Sequence, residues 1–181
     1  MLTLATHWIW DFWLADTLTE YHLFFLKAPR ADDPGQRHWN TAVGHAVSTD
    51  LVRWQVVDDA LTPSAEPAFD DYATWTGSVV LGDDGTWYLF YTGLSRADDG
   101  QVQRVGLATS ADLTTWRKHG GGVQVCTEPR WTDTQDGSGD VEAWRDPRLY
   151  RSPDGDSVHM LVTATTRGGA DGRRGVAGQA W

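Results

Sequence analysis

The chain has 181 residues with a formal net charge of −10 and a pI near 4.8, enough length for one domain with a sizeable core. That acidity argues against a nucleic-acid partner and against an anionic membrane surface, both of which call for a basic face. No apolar run approaches the ~20 residues of a membrane helix, and Met1–Ala5 is too short and uncharged for a secretory signal, so the chain is expected to be cytoplasmic.

In chain order, the first predicted element is the Trp-rich segment His7–Trp13 (HWIWDFW). A turn at Ala15-Asp16-Thr17 leads into the apolar strand Tyr21–Leu26 (YHLFFL), and a polar loop running to Asn40 leads into Val43–Ser48. Ser48-Thr49-Asp50-Leu51 is a tight turn in which side-chain oxygens cap backbone N–H groups, and a fourth strand is expected over Trp54–Leu61. The same order then returns. Ala73–Val80 (ATWTGSVV), the Gly82-Asp83-Asp84-Gly85 turn, Trp87–Thr92 (WYLFYT), the loop Ser95–Arg104 and Val105–Ser110 lead to a fourth strand expected from Trp116. A third round begins at Glu142–Leu149 (EAWRDPRL), turns at Ser152–Asp156, continues through Val158–Thr163 and breaks off near Trp181.

Laid side by side, Val43–Trp54 and Val105–Trp116 are identical at seven of twelve positions. Four short antiparallel strands recurring every ~60–70 residues, with no sustained 3.6-residue periodicity, predict an all-β chain folded as a β-propeller. The expected blades span about 7–62, 73–126 and, incompletely, 142–181: about two and a half blades in one partial domain over 1–181. A propeller needs ~4–8 blades to close, so the open blade edge is expected to pair with missing chain or with another copy.

In a propeller the first strand of each blade lines the central channel. The three Trp-containing segments therefore bring Asp11, the Trp75-Thr76-Gly77-Ser78 cluster and Arg145-Asp146 around one axis. Two carboxylates in an aromatic-lined pocket suit glycosyl transfer. Asp11 could be a surface strand-end residue, but a carboxylate among Trp8, Ile9, Trp10, Phe12 and Trp13 calls for a partner or a function. Asp146 could instead form an ion pair with Arg145 or Arg148, or end a strand at Pro147. Of the eleven tryptophans most are core, and two or three are candidate sugar platforms.

These residues resemble glycoside hydrolase family 32, the invertase and levanase group, and its relative family 68. The resemblance rests on Trp8-Ile9-Trp10-Asp11, the Tyr21–Phe25 strand, Val43–Trp54, Trp75-Thr76-Gly77-Ser78 and Trp144-Arg145-Asp146-Pro147. It implies a five-bladed propeller and a retaining mechanism on furanosides such as β-fructosides. Asp11 would be the nucleophile and Asp146 the transition-state stabiliser; Arg145, Trp8, Trp10, Trp75 and Ser78 would bind the sugar, with no metal and no cofactor. Trp10 stands where the family has Asn, and Phe12-Trp13 where it has Pro-Asn, so the sugar subsite is remodelled. The family's acid/base Glu would fall beyond Trp181, which makes the chain an expected fragment with little activity of its own. The alternative is a carbohydrate-binding propeller module without chemistry.

The remaining candidates have plainer explanations. Glu142 and Glu128 are expected to be solvated rather than to act as the acid. The Asp133, Asp136 and Asp140 stretch matches no calcium loop. His22, His45 and His159 fall on strands without metal-ligand spacing, and packing with blade hydrogen bonds is expected of them. Cys126 is the single cysteine, so no internal disulfide forms. The Arg-Gly segment Arg167–Arg174 aligns with the loops of the other repeats and is a connector.

Overall fold

The structure, a computed structural model, describes residues 2–120, 143–165 and 175–180. Glu128, Glu142, Cys126, Asp133, Asp136, Asp140 and the Arg167–Arg174 segment lie outside them. The described chain is all-β apart from two short 3-10 turns, Pro34–Trp39 and Arg96–Asp98. Strands β1 (His7–Asp16), β2 (Tyr21–Pro29), β3 (Ala42–Ser48) and β4 (Gln55–Val56) form one antiparallel sheet in sequential order. A second sheet repeats this with β5 (Ala73–Leu81), β6 (Trp87–Leu94), β7 (Arg104–Ser110) and β8 (Arg117–Lys118). The third holds β9 (Trp144–Arg151), β10 (Val158–Thr165) and β11 (Gly175–Ala180). This is a partial β-propeller of antiparallel blades. Among the described residues no helix is long and apolar enough to cross a membrane.

The expected turns hold both four-stranded blades together. Ser48 Oγ accepts the N–H groups of Asp50 and Leu51 at 3.1 and 3.0 Å, and Asp50 Oδ1 accepts those of Val52 and Arg53 at 2.9 and 2.7 Å. Ser110 and Asp112 repeat the device on Asp112, Thr114 and Thr115. These backbone N–H groups hold the carboxyls of Asp50 and Asp112 well below the usual range. Leu51 and Leu113 sit at φ 61 and 63 in the two copies.

The fourth strands are shorter than expected. Pairing along Trp54–Leu61 is confined to Gln55 and Val56, then resumes as a bridge between Leu61 and Val43. Asp58 and Asp59 interrupt it, and Asp59 turns aside to meet Lys27 Nζ at 2.6 Å.

Blades meet face to face. Trp13, Ala15, Phe24, Leu26 and Val43 of the first blade pack on Leu89, Tyr91, Ala108 and Leu113 of the second. The second blade's opposite face offers Val105 and Phe90 to Trp144, Met160, Val162 and Ala164 of the third. A buried polar pair lies within the first blade, where His22 Nδ1 and His45 Nε2 are 2.9 Å apart and His22 Nε2 reaches Glu20 at 3.2 Å. Burial, then the neighbouring His22, pushes the His45 pKa down to about 4.

Each innermost strand carries a β-bulge at the same place. The register of β1 against β2 shifts between Trp10 and Phe12, leaving Asp11 unpaired. That of β5 against β6 shifts between Trp75 and Gly77, leaving Thr76 unpaired. The pairing of β9 with β10 shifts after Arg145, at Asp146-Pro147. Asp11 and Asp146 adopt left-handed φ values of 35 and 57, uncommon for residues with a Cβ and concentrated at functional sites. Next to the middle bulge a Cβ at Gly77 would lie 2.2 Å from the Phe90 carbonyl oxygen, so only glycine fits there.

Candidate functional site

The three bulges converge. A cleft of about 590 Å³ is lined by Trp10 and Asp11 from β1, Trp75 and Thr76 from β5, and Arg145 and Asp146 from β9. Leu26, His38, Trp39, Gly100, Gln101 and Gln103 complete its described walls. A bulge adds a residue to one strand and breaks the alternation of side chains, which re-aims the side chain of the extra residue. Thr76 Oγ1 donates to Asp11 Oδ2 at 2.7 Å, joining two bulge residues directly.

Asp146 lies beside Arg145, whose Nε approaches Asp146 Oδ2 at 3.3 Å. Burial raises the Asp146 pKa, Arg145 opposes that, and the Asp11 charge adds to it, while a hydrogen bond from Thr163 on β10 favours the ionised form. Its backbone N–H is fixed by Thr92 Oγ1 at 3.0 Å. Asp11 and Asp146 thus share one cleft, and the Asp11 charge contributes to the raised Asp146 pKa.

Aromatic rings form the rest of the wall. His38 stands edge-on to Trp10 and to Trp75, with centroids 5.9 and 6.0 Å away. Trp75 Nε1 donates to the His38 carbonyl oxygen at 2.7 Å, so the 3-10 turn and β5 hold each other. Burial, then Arg37, lowers the His38 pKa, against a raising contribution from Asp11. Trp39 stacks on Tyr72 at 5.3 Å, which props the turn against the second blade.

Of the seven residues expected to form the site, Trp10, Asp11, Trp75, Arg145 and Asp146 share this cleft, and Trp8 and Ser78 do not line it. Trp8 sits two residues before Trp10 and opposite Ala28, about 7 Å further along the strand. Ser78 is buried and accepts the Leu149 N–H at 3.1 Å, which makes it a link between the second and third blades. His38, Trp39, Thr92 and Gln103 were not foreseen. The one signal for them was an aromatic pair, His38-Trp39, in an otherwise polar loop. Among the described residues no group of three or more His, Cys, Asp or Glu could hold a metal ion.

The sequence profile described as "Glycosyl hydrolases family 32 N-terminal domain" matches residues 13–173. The chain belongs to glycoside hydrolase family 32. A cell wall isozyme of β-fructofuranosidase from Zea mays is 37% identical over 102 residues, covering 54% of this chain and 16% of that protein. The insoluble isoenzyme 1 of β-fructofuranosidase from Oryza sativa subsp. indica is 33% identical over 162 residues, covering 87% and 25%. Among solved structures, fructan 1-exohydrolase IIa from Cichorium intybus in complex with 1-kestose aligns with a TM-score of 0.73 at 25% identity, over 99% of this chain and 31% of that one. The chain therefore spans a quarter or less of these two curated relatives. The family match begins at Trp13, two residues after Asp11, so the first carboxylate is singled out by its bulge and its place in the cleft.

Proposed function

We propose that this chain supplies part of the substrate cleft of a retaining glycoside hydrolase acting on furanosides such as β-fructosides. One observation carries the proposal: equivalent bulges of two inner strands present Asp11 and Asp146 to a single tryptophan-walled cleft. Asp11 attacks the anomeric carbon, and the leaving-group oxygen departs with the bonding pair and takes a proton from a general acid. Water then cleaves the resulting glycosyl ester, its proton passing to the same acid, and Asp11 is released. The bond from Thr76 to Oδ2 orients the carboxylate and leaves Oδ1 for attack. Arg145 and Asp146 hold ring hydroxyls as the positive charge develops, and Trp10 and Trp75 wall the sugar.

Among the described residues lining the cleft, Asp11 and Asp146 are the only carboxylates. Asp146 is assigned to the hydroxyls, so the general acid, worth ~10²–10⁴-fold, is assigned to a residue outside the described ones.

The test is hydrolysis of sucrose and 1-kestose by the full-length gene product with and without Asp11→Asn. The variant is expected to fold normally, because Asp11 is outside the strand ladder, and to lose turnover by at least about 10³-fold. Undiminished turnover in the variant would overturn the assignment. Binding of these sugars without turnover by the unaltered protein would favour a carbohydrate-binding module instead.

A further inference from the structure

The two contacts between successive blades can be compared position by position, because the repeats superimpose in sequence. Val43-Gly44 of β3 corresponds to Val105-Gly106 of β7, which makes Thr41 the counterpart of Gln103. The bulges make Thr74 of β5 the counterpart of Trp144 of β9. At the first contact the Thr41 backbone carbonyl accepts the Thr74 N–H at 3.1 Å and its hydroxyl at 3.2 Å. At the second a side chain replaces that carbonyl. Gln103 Oε1 accepts the Trp144 N–H at 3.2 Å and also Arg145 Nη1 at 3.3 Å.

At the first contact the counterpart of Arg145 is Trp75, which donates not to Thr41 but to the His38 carbonyl, so only at the second contact do both donors share one side-chain oxygen. The bond to Arg145 falls on the guanidinium whose Nε faces Asp146, so one arm of Arg145 is tied to the second blade while another meets the carboxylate. Gln103 is 4% exposed and borders the cleft, and a carboxamide there accepts without adding charge. Hydrogen bonds to the outer nitrogens of an arginine fork fix its plane, which apolar packing cannot do.

We infer that Gln103 is a positioning residue: its side-chain oxygen sets Arg145 against Asp146 across the junction of the second and third blades. This rests on the furanosidase reading for its effect on turnover, though not for its effect on Asp146 itself. The charged groups acting on Asp146 are Arg145 on its own strand and Asp11 from β1, with Thr163 of β10 as a hydrogen-bond partner. A change at Gln103 is therefore read through Arg145.

Gln103→Glu keeps the acceptor for the Trp144 N–H but puts a carboxylate beside the guanidinium, drawing it from Asp146. Gln103→Met keeps the volume and removes the acceptor. In the full-length protein both are expected to lower kcat/KM for sucrose by about tenfold to a hundredfold. Gln103→Glu should also move the acid limb of the pH profile upward by about one unit. A residue that merely supported the fold would lower the melting temperature and leave that limb in place. Independently of turnover, carbon-detected NMR titration of the Asp146 carboxyl in the same protein should show the same upward shift in Gln103→Glu. An unmoved Asp146 titration in a folded Gln103→Glu protein would overturn the inference even where Asp11→Asn abolishes hydrolysis. A shifted Asp146 in a protein that binds sucrose and 1-kestose without turning them over would instead leave Gln103 in place and remove the furanosidase reading.

Discussion

Both junctions between successive blades combine apolar packing with hydrogen bonds, but the first is the richer in stacked rings and the second holds the inner strand β9 by three side-chain acceptors. Trp13 stacks near Phe24 at 6.2 Å in the first, and Phe24 meets Trp116 of the second blade edge-on at 5.7 Å. At the position equivalent to Trp13 the second junction has Ser78, which accepts the Leu149 N–H, and at that of Leu26 it has Thr92, which accepts the Asp146 N–H. With Gln103 on the Trp144 N–H, three side chains from the second blade hold the backbone of β9 at spaced points. Apolar burial is strong but non-directional, whereas hydrogen bonds fix distance and angle. The ring-rich first junction is expected to carry the larger share of stability, and the second to set the placement of Arg145 and Asp146.

The largest effect that would test this contrast is Phe24→Ala. Phe24 is wholly buried at the first junction, and its removal should cost about 4 kcal/mol in urea unfolding. A loss well under ~1 kcal/mol would mean that rings do not hold that junction.

Next comes pH. His45 stacks on Phe24 at 4.7 Å with its pKa lowered from 6.5 to about 4, so the folded chain favours the neutral ring. The unfolded chain takes up that proton first as pH falls. Stability from this group is therefore complete above about pH 6.5, declines between there and about pH 4, and levels off below. The full loss is about 3 kcal/mol, from ~1.4 kcal/mol per pKa unit. Leu107 occupies the equivalent place on β7, so His45→Leu should flatten this part of the stability profile while leaving the carboxylate-driven part. An unchanged slope between pH 6.5 and 4 would remove His45 as its source.

The smallest expected effect is that of Thr92→Val, which keeps shape and deletes the acceptor of the Asp146 N–H. It should cost about 1–2 kcal/mol in unfolding, with a larger proportional loss in turnover than Phe24→Ala shows under conditions where both remain folded. Equal losses would erase the distinction between the two junctions.

Much of the architecture was legible in the sequence, because most turns announce themselves locally; the first falls later than expected, at Thr17–Glu20, since Ala15 and Asp16 pair with His22 and Tyr21. Gly82-Asp83-Asp84-Gly85 and Ser152–Asp156 stand between the strands they were expected to join, and both Ser-x-Asp-Leu turns make their caps. The bulges were not legible. Strict alternation puts Trp10 and Trp13 on opposite faces of β1, yet the extra residue at Asp11 brings both to the side facing the second blade, opposite Leu26 and Phe24. Trp8 was grouped with the site by motif alone, without the distance along the strand, and Ser78 by adjacency to Trp75 without its partner on β9. His38 and Gln103 come from loops whose approach to the cleft depends on contacts some 40 residues away in sequence, such as Trp75 to His38 and Arg145 to Gln103, and local patterns carry no trace of those.

The bulge in each inner strand also separates two kinds of change. Its residue has no partner in the ladder, so it resembles a socket into which different fittings go while the surrounding mould stays the same. The three blades already show this, with aspartate, threonine and aspartate in successive sockets. A lineage of such proteins could retool its chemistry one socket at a time, without recasting the blade that holds it.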